Sequence, residues 1–189
     1  MKNIIMTDLI PLFVDLDGTV IKEDIGQMAL KKSLSNNFLN FFNIIIRFFL
    51  FGKPSAKFYA SKNYHVNFDQ LNFNKSCLDF ILDAKKLGRK VYLISGSHEK
   101  IIKKIAVKLN IFDDAYGTRK NYNMISLNKV KFIKDTLKIN DFDYIGNSHQ
   151  DLAVWENSKN IIYTNVSDKL LKKINLLKNK KIFIKEDFN

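Results

Sequence analysis

Several residue types are scarce in this chain of 189 residues, and each scarcity excludes some classes of protein. Cysteine occurs once, as Cys77, which excludes an intramolecular disulfide and a cysteine-based zinc cluster and fits a reducing, cytoplasmic compartment. No motif surrounds Cys77, so we interpret it as a core or surface thiol. Only two prolines and seven glycines accompany 46% hydrophobic residues, which indicates a folded core and argues against disorder.

Long hydrophobic runs are also absent. The longest apolar segment, 38–51, contains two asparagines and Arg47, and it is shorter than the roughly 20 residues that a transmembrane helix needs. The N-terminal stretch "MKNIIMTDLI" is too short and interrupted to be a signal peptide. We therefore expect a cytoplasmic protein without an integral span.

Arginine is rare as well, and the formal net charge of +12 comes almost wholly from lysine. The lysines are scattered through amphipathic segments, which favours a generally basic surface. A nucleic-acid partner ranks last, because the aromatic residues stand in apolar runs and not beside basic grooves. A second interpretation has part of the segment 38–51 meeting a membrane or a lipid-like substrate at the inner membrane, with Arg47, Lys53 and Lys57 near anionic headgroups.

The order of the remaining patterns predicts an α/β fold. A short buried strand at 11–15 is followed by helical patterns from 24 to about 72, and then strands and helices alternate to the end. Within the helical stretch, Gly52 and Pro54 predict a stop after the helix over 38–51. This alternation predicts a parallel sheet flanked by helices on both faces, with a small helical cap inserted after the first strand. We predict an α/β core of residues 1–23 and 73–189 and a cap of residues 24–72. The strands expected after the cap are 90–95, 114–116, 142–146, 160–165 and 181–185, and the helices are 75–87, 98–109, 128–138, 150–157 and 167–177.

Polar residues follow three of these strands. Asp15 and Asp17 come after the first strand, Ser95 and Gly96 after the second, and the segment 146–151 after a later one. The carboxyl ends of parallel strands share one edge of the sheet, where ligands bind. Acids two apart in a strand point to the same side. Converging carboxylates without cysteine favour a hard cation such as Mg²⁺.

Four motifs together resemble the haloacid dehalogenase (HAD) superfamily of phosphohydrolases. They are "DLDGT", "LISGS", a lysine near 129 and "GNSHQDL", and the resemblance covers residues 11 to about 165. More narrowly, the chain resembles the HAD domain fused ahead of UbiA-type prenyltransferases. The resemblance implies a Rossmann-like core with a cap and a Mg²⁺-dependent phosphatase that works through an aspartyl-phosphate intermediate. It also implies a small phosphorylated or polyprenyl-linked substrate and contact with a membrane prenyltransferase.

The resemblance also implies a role for each motif residue. Asp15 would be the nucleophile and a metal ligand, and Asp17 the general acid and base, with its backbone carbonyl on the metal. Ser95, Gly96 and Lys129 would bind phosphate, with Lys131 as the alternate lysine, and Asp24 would contact substrate. Asn147 and Asp151 would complete the metal site.

Structural interpretations of the same residues stay open. Asp15 and Asp17 fit a turn-stabilising pair, Ser95 a helix cap, and Asp151 an acid at a helix N-terminus. Lys129 fits a solvated helix lysine, and Asp24 with Gln27 fits a capping box. His98 and His149 either line the pocket or are polar residues at helix starts, and we favour the second interpretation.

Asn147 departs from the family pattern, which usually has an acid directly after the glycine of the last motif. An amide oxygen can still bind Mg²⁺, but the site loses one negative charge. This departure keeps a second function open: a catalytically weakened domain that binds a phosphorylated ligand or scaffolds a membrane prenyltransferase.

Overall fold

The structure, a computed structural model, describes residues 9–36, 38–62 and 64–188. Its six strands are β1 (Leu12–Val14), β2 (Val91–His98), β3 (Asp114–Thr118), β4 (Asp143–Gly146), β5 (Asn160–Tyr163) and β6 (Lys180–Phe183). They form one parallel sheet in the order β3-β2-β1-β4-β5-β6. The predicted α/β fold class is confirmed.

Seven α-helices complete the described part of the chain. They are α1 (Ile25–Asn36), α2 (Phe38–Ser61), α3 (Lys75–Lys86), α4 (Glu99–Leu109), α5 (Leu127–Lys131), α6 (Leu152–Glu156) and α7 (Asp168–Leu176). A π-helical turn, Phe132–Thr136, continues α5, and two short 3₁₀ turns lie at Phe68–Gln70 and His149–Asp151. Within the described residues, no helix has both the length and the apolar character needed to cross a membrane.

Hydrophobic cores cover both faces of the sheet because successive side chains of a strand point in opposite directions. Leu12 and Val14 of β1 pack in one core with α3 and α4. Phe13 points the other way, into a second core with α5, α6 and α7. All three residues are fully buried, so β1 is an apolar strand at the centre of the molecule.

The position of β1 creates the crevice in which ligands bind in sheets of this kind. From β1 the chain passes to β2 and β3 on one side and later to β4, β5 and β6 on the other. Ligands bind at the carboxyl edge where the strand order reverses. Here this edge lies between β1 and β4, and Asp15 N–H donates to Ile145 O at 2.9 Å directly above it.

The segment between β1 and β2 contains α1 and α2. It is closed at its base by backbone hydrogen bonds, from Lys22 N–H to Asn72 O at 2.9 Å and from Asn74 N–H to Val20 O at 2.9 Å. Gly52 interrupts α2 with a left-handed φ of 76°, which divides it into two helical pieces at the glycine where the sequence predicted a stop. The boundaries 24–72 for a cap remain a proposal.

Cys77 lies in α3 with no exposed surface, and burial raises the pKa of its thiol to about 12. We predict that the native protein does not react with a thiol reagent at about pH 8, because only the thiolate is nucleophilic and the side chain is inaccessible. The measurement is labelling with a chromogenic disulfide in native buffer and in guanidinium. Fast labelling of the native chain would contradict the burial of Cys77.

Candidate active site

A cavity of about 500 Å³ opens at the carboxyl edge of β1 and β4. Residues from six separate segments meet in its wall, so no single stretch of sequence forms it. Those that bear on its chemistry are Asp15, Asp17, Gly96, Ser97, Lys129, Asn147 and Asp151. Its size is within the usual range for small-molecule sites.

The centre of the cavity is a buried ammonium group shared by two acids and a phenol. Lys129 is 3% exposed, and its Nζ lies 2.7 Å from Asp15 Oδ1 and 3.3 Å from Asp151 Oδ1. It also donates to Tyr144 Oη at 2.6 Å, and Tyr144 Oη donates to Asp151 Oδ1 at 2.6 Å. Of the two candidate lysines, Lys129 is thus the one that contacts Asp15. The alternate, Lys131, is exposed.

Burial and charge shift the pKa of each group in this cluster. Burial raises the pKa of Asp15 to about 7, even though the Lys129 ammonium lowers it. Burial alone would lower the pKa of Lys129, but Asp15 and Asp151 raise it. Burial would likewise raise the pKa of Asp151, but Lys129 and the Tyr144 hydroxyl lower it. Two carboxylates therefore share one ammonium, and Asp15 is the acid whose negative charge is less compensated.

Asp17 faces a different set of partners. Its Oδ1 accepts from Ile25 N–H at 2.8 Å, at the start of α1, and its Oδ2 accepts from Ser95 Oγ at 2.8 Å and Ser97 Oγ at 2.9 Å. Burial raises the pKa of Asp17, while the amide of Ile25 lowers it. This acid is therefore held in a fixed position in the cavity wall by three hydrogen-bond donors.

A tight turn after β1 packs against the side chain of Asn147. Gly18 has a left-handed φ of 76°, and a Cβ placed on it would lie 2.1 Å from Asn147 Nδ2. Both the backbone conformation and the close approach therefore require glycine. The amide is pressed against this turn, and its Oδ1 is buried and has no hydrogen-bond partner within the described part of the chain.

An unpaired buried oxygen of this kind fits a metal ligand, since buried polar atoms otherwise find partners. With the carboxylate of Asp15 and the backbone carbonyl of Asp17, Asn147 would supply an all-oxygen set suited to Mg²⁺. Asp151 does not fit this role: its Oδ2 accepts from the amides of Asn147 and Ser148 and from Ser148 Oγ, and its Oδ1 faces Lys129 and Tyr144.

The metal ligands predicted from the sequence, Asp15, Asp17, Asn147 and Asp151, stay a prediction. In the described residues, no three or more His, Cys, Asp or Glu side chains are arranged to hold a metal ion. Asp15 and Asp151 contact the Lys129 ammonium. Asp17 accepts hydrogen bonds from Ser95 and Ser97 of β2. By these contacts, the oxygens that best fit a metal ion are the Asp15 carboxylate, the Asn147 amide oxygen and the Asp17 backbone carbonyl.

The predicted phosphate-binding residues are only partly directed at the cavity. Gly96 and Ser97 line it, whereas Ser95 is fully buried and turns its hydroxyl to Asp17. Asp24 also lines the cavity, but its carboxylate accepts from Gln27 N–H at 2.8 Å and Gln27 Nε2 at 2.9 Å. The Asp24 side chain thus caps the start of α1 through the Gln27 N–H, whereas the reciprocal bond of a capping box and a contact of Asp24 with substrate remain predictions.

Sequence reasoning missed three contributors to the site. Tyr144 lies in the predicted strand 142–146 and has no role in the site predicted from sequence, although a hydroxyl so close to the last motif is a usable signal. Ser97 extends the serine pair beyond the motif residue Ser95. Phe58 of α2 stacks on His98 with ring centroids 4.7 Å apart, and both line the cavity, which only the folded chain could bring about.

Comparison with solved structures gives the fold. A protein of unknown function from Bordetella pertussis matches with a TM-score of 0.71 and 14% identity, covering 93% of this chain and 99% of that one. A substrate-bound phosphoserine phosphatase matches with a TM-score of 0.61 and 15% identity, covering 93% of each chain. A HAD-superfamily hydrolase from Ehrlichia chaffeensis matches with a TM-score of 0.52 and 13% identity, covering 88% and 95%.

Comparison of sequences is less informative. No protein-family model matches the chain. A curated relative, the uncharacterized protein y4nM of Sinorhizobium fredii, is 31% identical over 150 residues, which is 78% of this chain. This chain spans only 28% of the length of that relative.

Removing the Tyr144 hydroxyl tests the buried cluster. We predict that Tyr144→Phe lowers the free energy of unfolding by about 1–3 kcal/mol, because Lys129 and Asp151 each lose a buried partner. Urea unfolding measures the change. The control is Tyr163→Phe on β5, with a half-buried ring, for which we expect a change within about 0.5 kcal/mol. Equal effects of the two substitutions would argue against the cluster.

Proposed function

We propose that this chain, which has the fold of HAD-superfamily hydrolases, is a phosphomonoester hydrolase with Asp15 as its nucleophile. One observation carries the proposal: Asp15 lies 2.7 Å from the buried ammonium of Lys129 in a cavity that also holds Asp17. This arrangement puts a carboxylate, a phosphate-neutralising cation and a second acid at the ligand-binding edge of the sheet. A serine and a glycine amide complete the wall.

The proposed reaction has two steps. A carboxylate oxygen of Asp15 attacks phosphorus, and the bond from phosphorus to the leaving oxygen breaks as Asp17 donates its proton to that oxygen. Asp17 then accepts a proton from water, whose oxygen attacks phosphorus, and inorganic phosphate leaves as Asp15 is restored. Lys129 offsets the charge of the phosphoryl oxygens in both steps.

A divalent ion such as Mg²⁺, held by Asp15, Asn147 and the Asp17 carbonyl, would offset the repulsion between the nucleophile and the substrate. Asp151 acts as a positioning residue in this proposal. It orients Lys129 through Oδ1, and through Oδ2 it fixes the backbone of Asn147 and Ser148. The raised pKa of Asp17 suits a group that holds a proton before it donates it.

The substrate is proposed from the cap and from the motif resemblance. Phe58 and His98 place aromatic surface at the cavity, beside the polar phosphate end. A small phosphorylated metabolite, as in phosphoserine-phosphatase-like enzymes, and a polyprenyl-linked phosphate both fit this division. Association with a membrane prenyltransferase rests on the motif resemblance alone.

A second candidate function is favoured by Asn147. An amide at this position leaves the proposed ion with one carboxylate ligand, which weakens its binding. The chain would then bind a phosphorylated ligand, or scaffold a prenyltransferase, without efficient turnover. Trapping of beryllofluoride at Asp15 together with absence of phosphate release from a chromogenic phosphomonoester would select this candidate.

Replacing the nucleophile tests the proposed reaction. We predict that Asp15→Asn lowers the Mg²⁺-dependent hydrolysis of p-nitrophenyl phosphate by at least about 10³-fold, because an amide cannot form the phosphoryl intermediate. Circular dichroism should show an intact fold. The control is Asp141→Asn, an exposed acid whose loss should leave the rate unchanged. Wild-type turnover by Asp15→Asn would eliminate the mechanism.

Restoring an acid at position 147 tests the proposed metal site. We predict that Asn147→Asp lowers the Mg²⁺ concentration for half-maximal thermal stabilisation on the order of tenfold, because a carboxylate attracts the ion more strongly than an amide. Thermal unfolding at increasing Mg²⁺ concentrations measures this without relying on activity. The control is Asn123→Asp, which adds the same charge elsewhere in the cavity wall. Equal shifts for both variants would count against Asn147 as a ligand.

A further inference from the structure

The first half of α2 exposes an unusual amount of apolar surface. Between residues 41 and 51 only Ile44 is buried and Ile45 half-buried. The exposed apolar side chains, called the α2 apolar face below, are Phe41, Phe42, Ile46, Phe48, Phe49, Leu50 and Phe51. Phe49 is 80% exposed. Contiguous apolar surface of this kind marks an interaction site in soluble proteins.

This face is not the side with which α2 packs on the rest of the chain. Ile44 forms a small core with Ala56 and Ala60 from the second half of α2, beside Leu30 of α1. The break at Gly52 allows the two halves to meet in this way. The helix α2 therefore packs on the rest of the chain through its buried side, and the α2 apolar face stays exposed.

The segment that carries this face has charged residues of one sign only. Residues 25–68 contain no aspartate or glutamate, although the chain has 19 acids. The same stretch carries six basic residues, which are Lys31, Lys32, Arg47, Lys53, Lys57 and Lys62. Lys31 and Lys32 of α1 are exposed, and the Arg47 guanidinium lies 4.5 Å from the centre of the Tyr59 ring.

We infer that the α2 apolar face binds the surface of an anionic lipid bilayer. Helices that lie in a membrane interface combine large apolar side chains with lysine and arginine and lack acids. Aromatic rings enter the headgroup boundary, and nearby basic groups contact anionic lipids. A second copy of the chain is a poorer occupant, because pairing two such faces would bring like charges together.

Vesicle co-sedimentation tests this inference. The full chain is mixed with vesicles of phosphatidylcholine alone and with vesicles of phosphatidylcholine containing about one third phosphatidylglycerol. We expect binding to the anionic vesicles, weaker binding to the neutral ones, and loss of binding as salt rises to about 0.5 M, where surface charges are screened.

Matched variants distinguish vesicle binding through the α2 apolar face from nonspecific adsorption of exposed apolar side chains. Phe49→Ser with Leu50→Ser should weaken binding at least about tenfold, whereas Val107→Ser with Leu176→Ser, which removes two equally exposed apolar groups elsewhere, should not. Lys31→Gln with Lys32→Gln should weaken binding on the order of tenfold. The charge-matched control is Lys172→Gln with Lys173→Gln on α7.

Three outcomes would overturn the inference. The chain could fail to bind anionic vesicles, the Phe49 and Leu50 variant could bind as well as the wild type, or neutral vesicles could bind the chain equally well. Light scattering over a range of protein concentrations identifies the alternative occupant. A dimer that the Phe49 and Leu50 variant abolishes, without vesicle binding, would assign the face to a second copy of the chain.

Discussion

The structure of the site depends on one buried ammonium group. A lysine without partners in a protein interior is costly, because its charge loses the hydration of water. Lys129 is stable in its place only if Asp15 after β1, Tyr144 in β4 and Asp151 after β4 converge on it. The contacts at the centre of the proposed active site thus also tie together two central strands and α5, so site geometry and fold stability are linked.

A steric constraint adds to the electrostatic one. Gly18 lets the turn after β1 pass against Asn147, and the amide that fills this space keeps one oxygen without a protein partner. An acid would be expected at this position from the motif pattern. The amide keeps the oxygen but removes a charge, and the two functions proposed for this chain differ in how much that loss would weaken metal binding.

The segment between β1 and β2 joins two proposed properties in one helix. The second half of α2 supplies Phe58 and Ser61 to the cavity wall, while its first half carries the exposed apolar face. The break at Gly52 separates these two halves, so one can line the cavity while the other exposes apolar side chains. If the α2 apolar face binds lipid, the membrane contacts the same helix that lines the cavity. Membrane binding would then influence which substrates reach the cavity.

Local patterns in the sequence determined the α/β alternation, the break at Gly52 and the presence of acids at the end of β1, because strand runs, turn residues and helix stops depend on neighbouring residues. They also singled out Lys129 through its motif. Only the tertiary structure decided the partners: Ser95 turns to Asp17, Asp151 to Lys129, and Tyr144 joins both. Such contacts link residues up to 114 positions apart, and spacing along a chain carries no information about which polar atoms will compete for one buried donor.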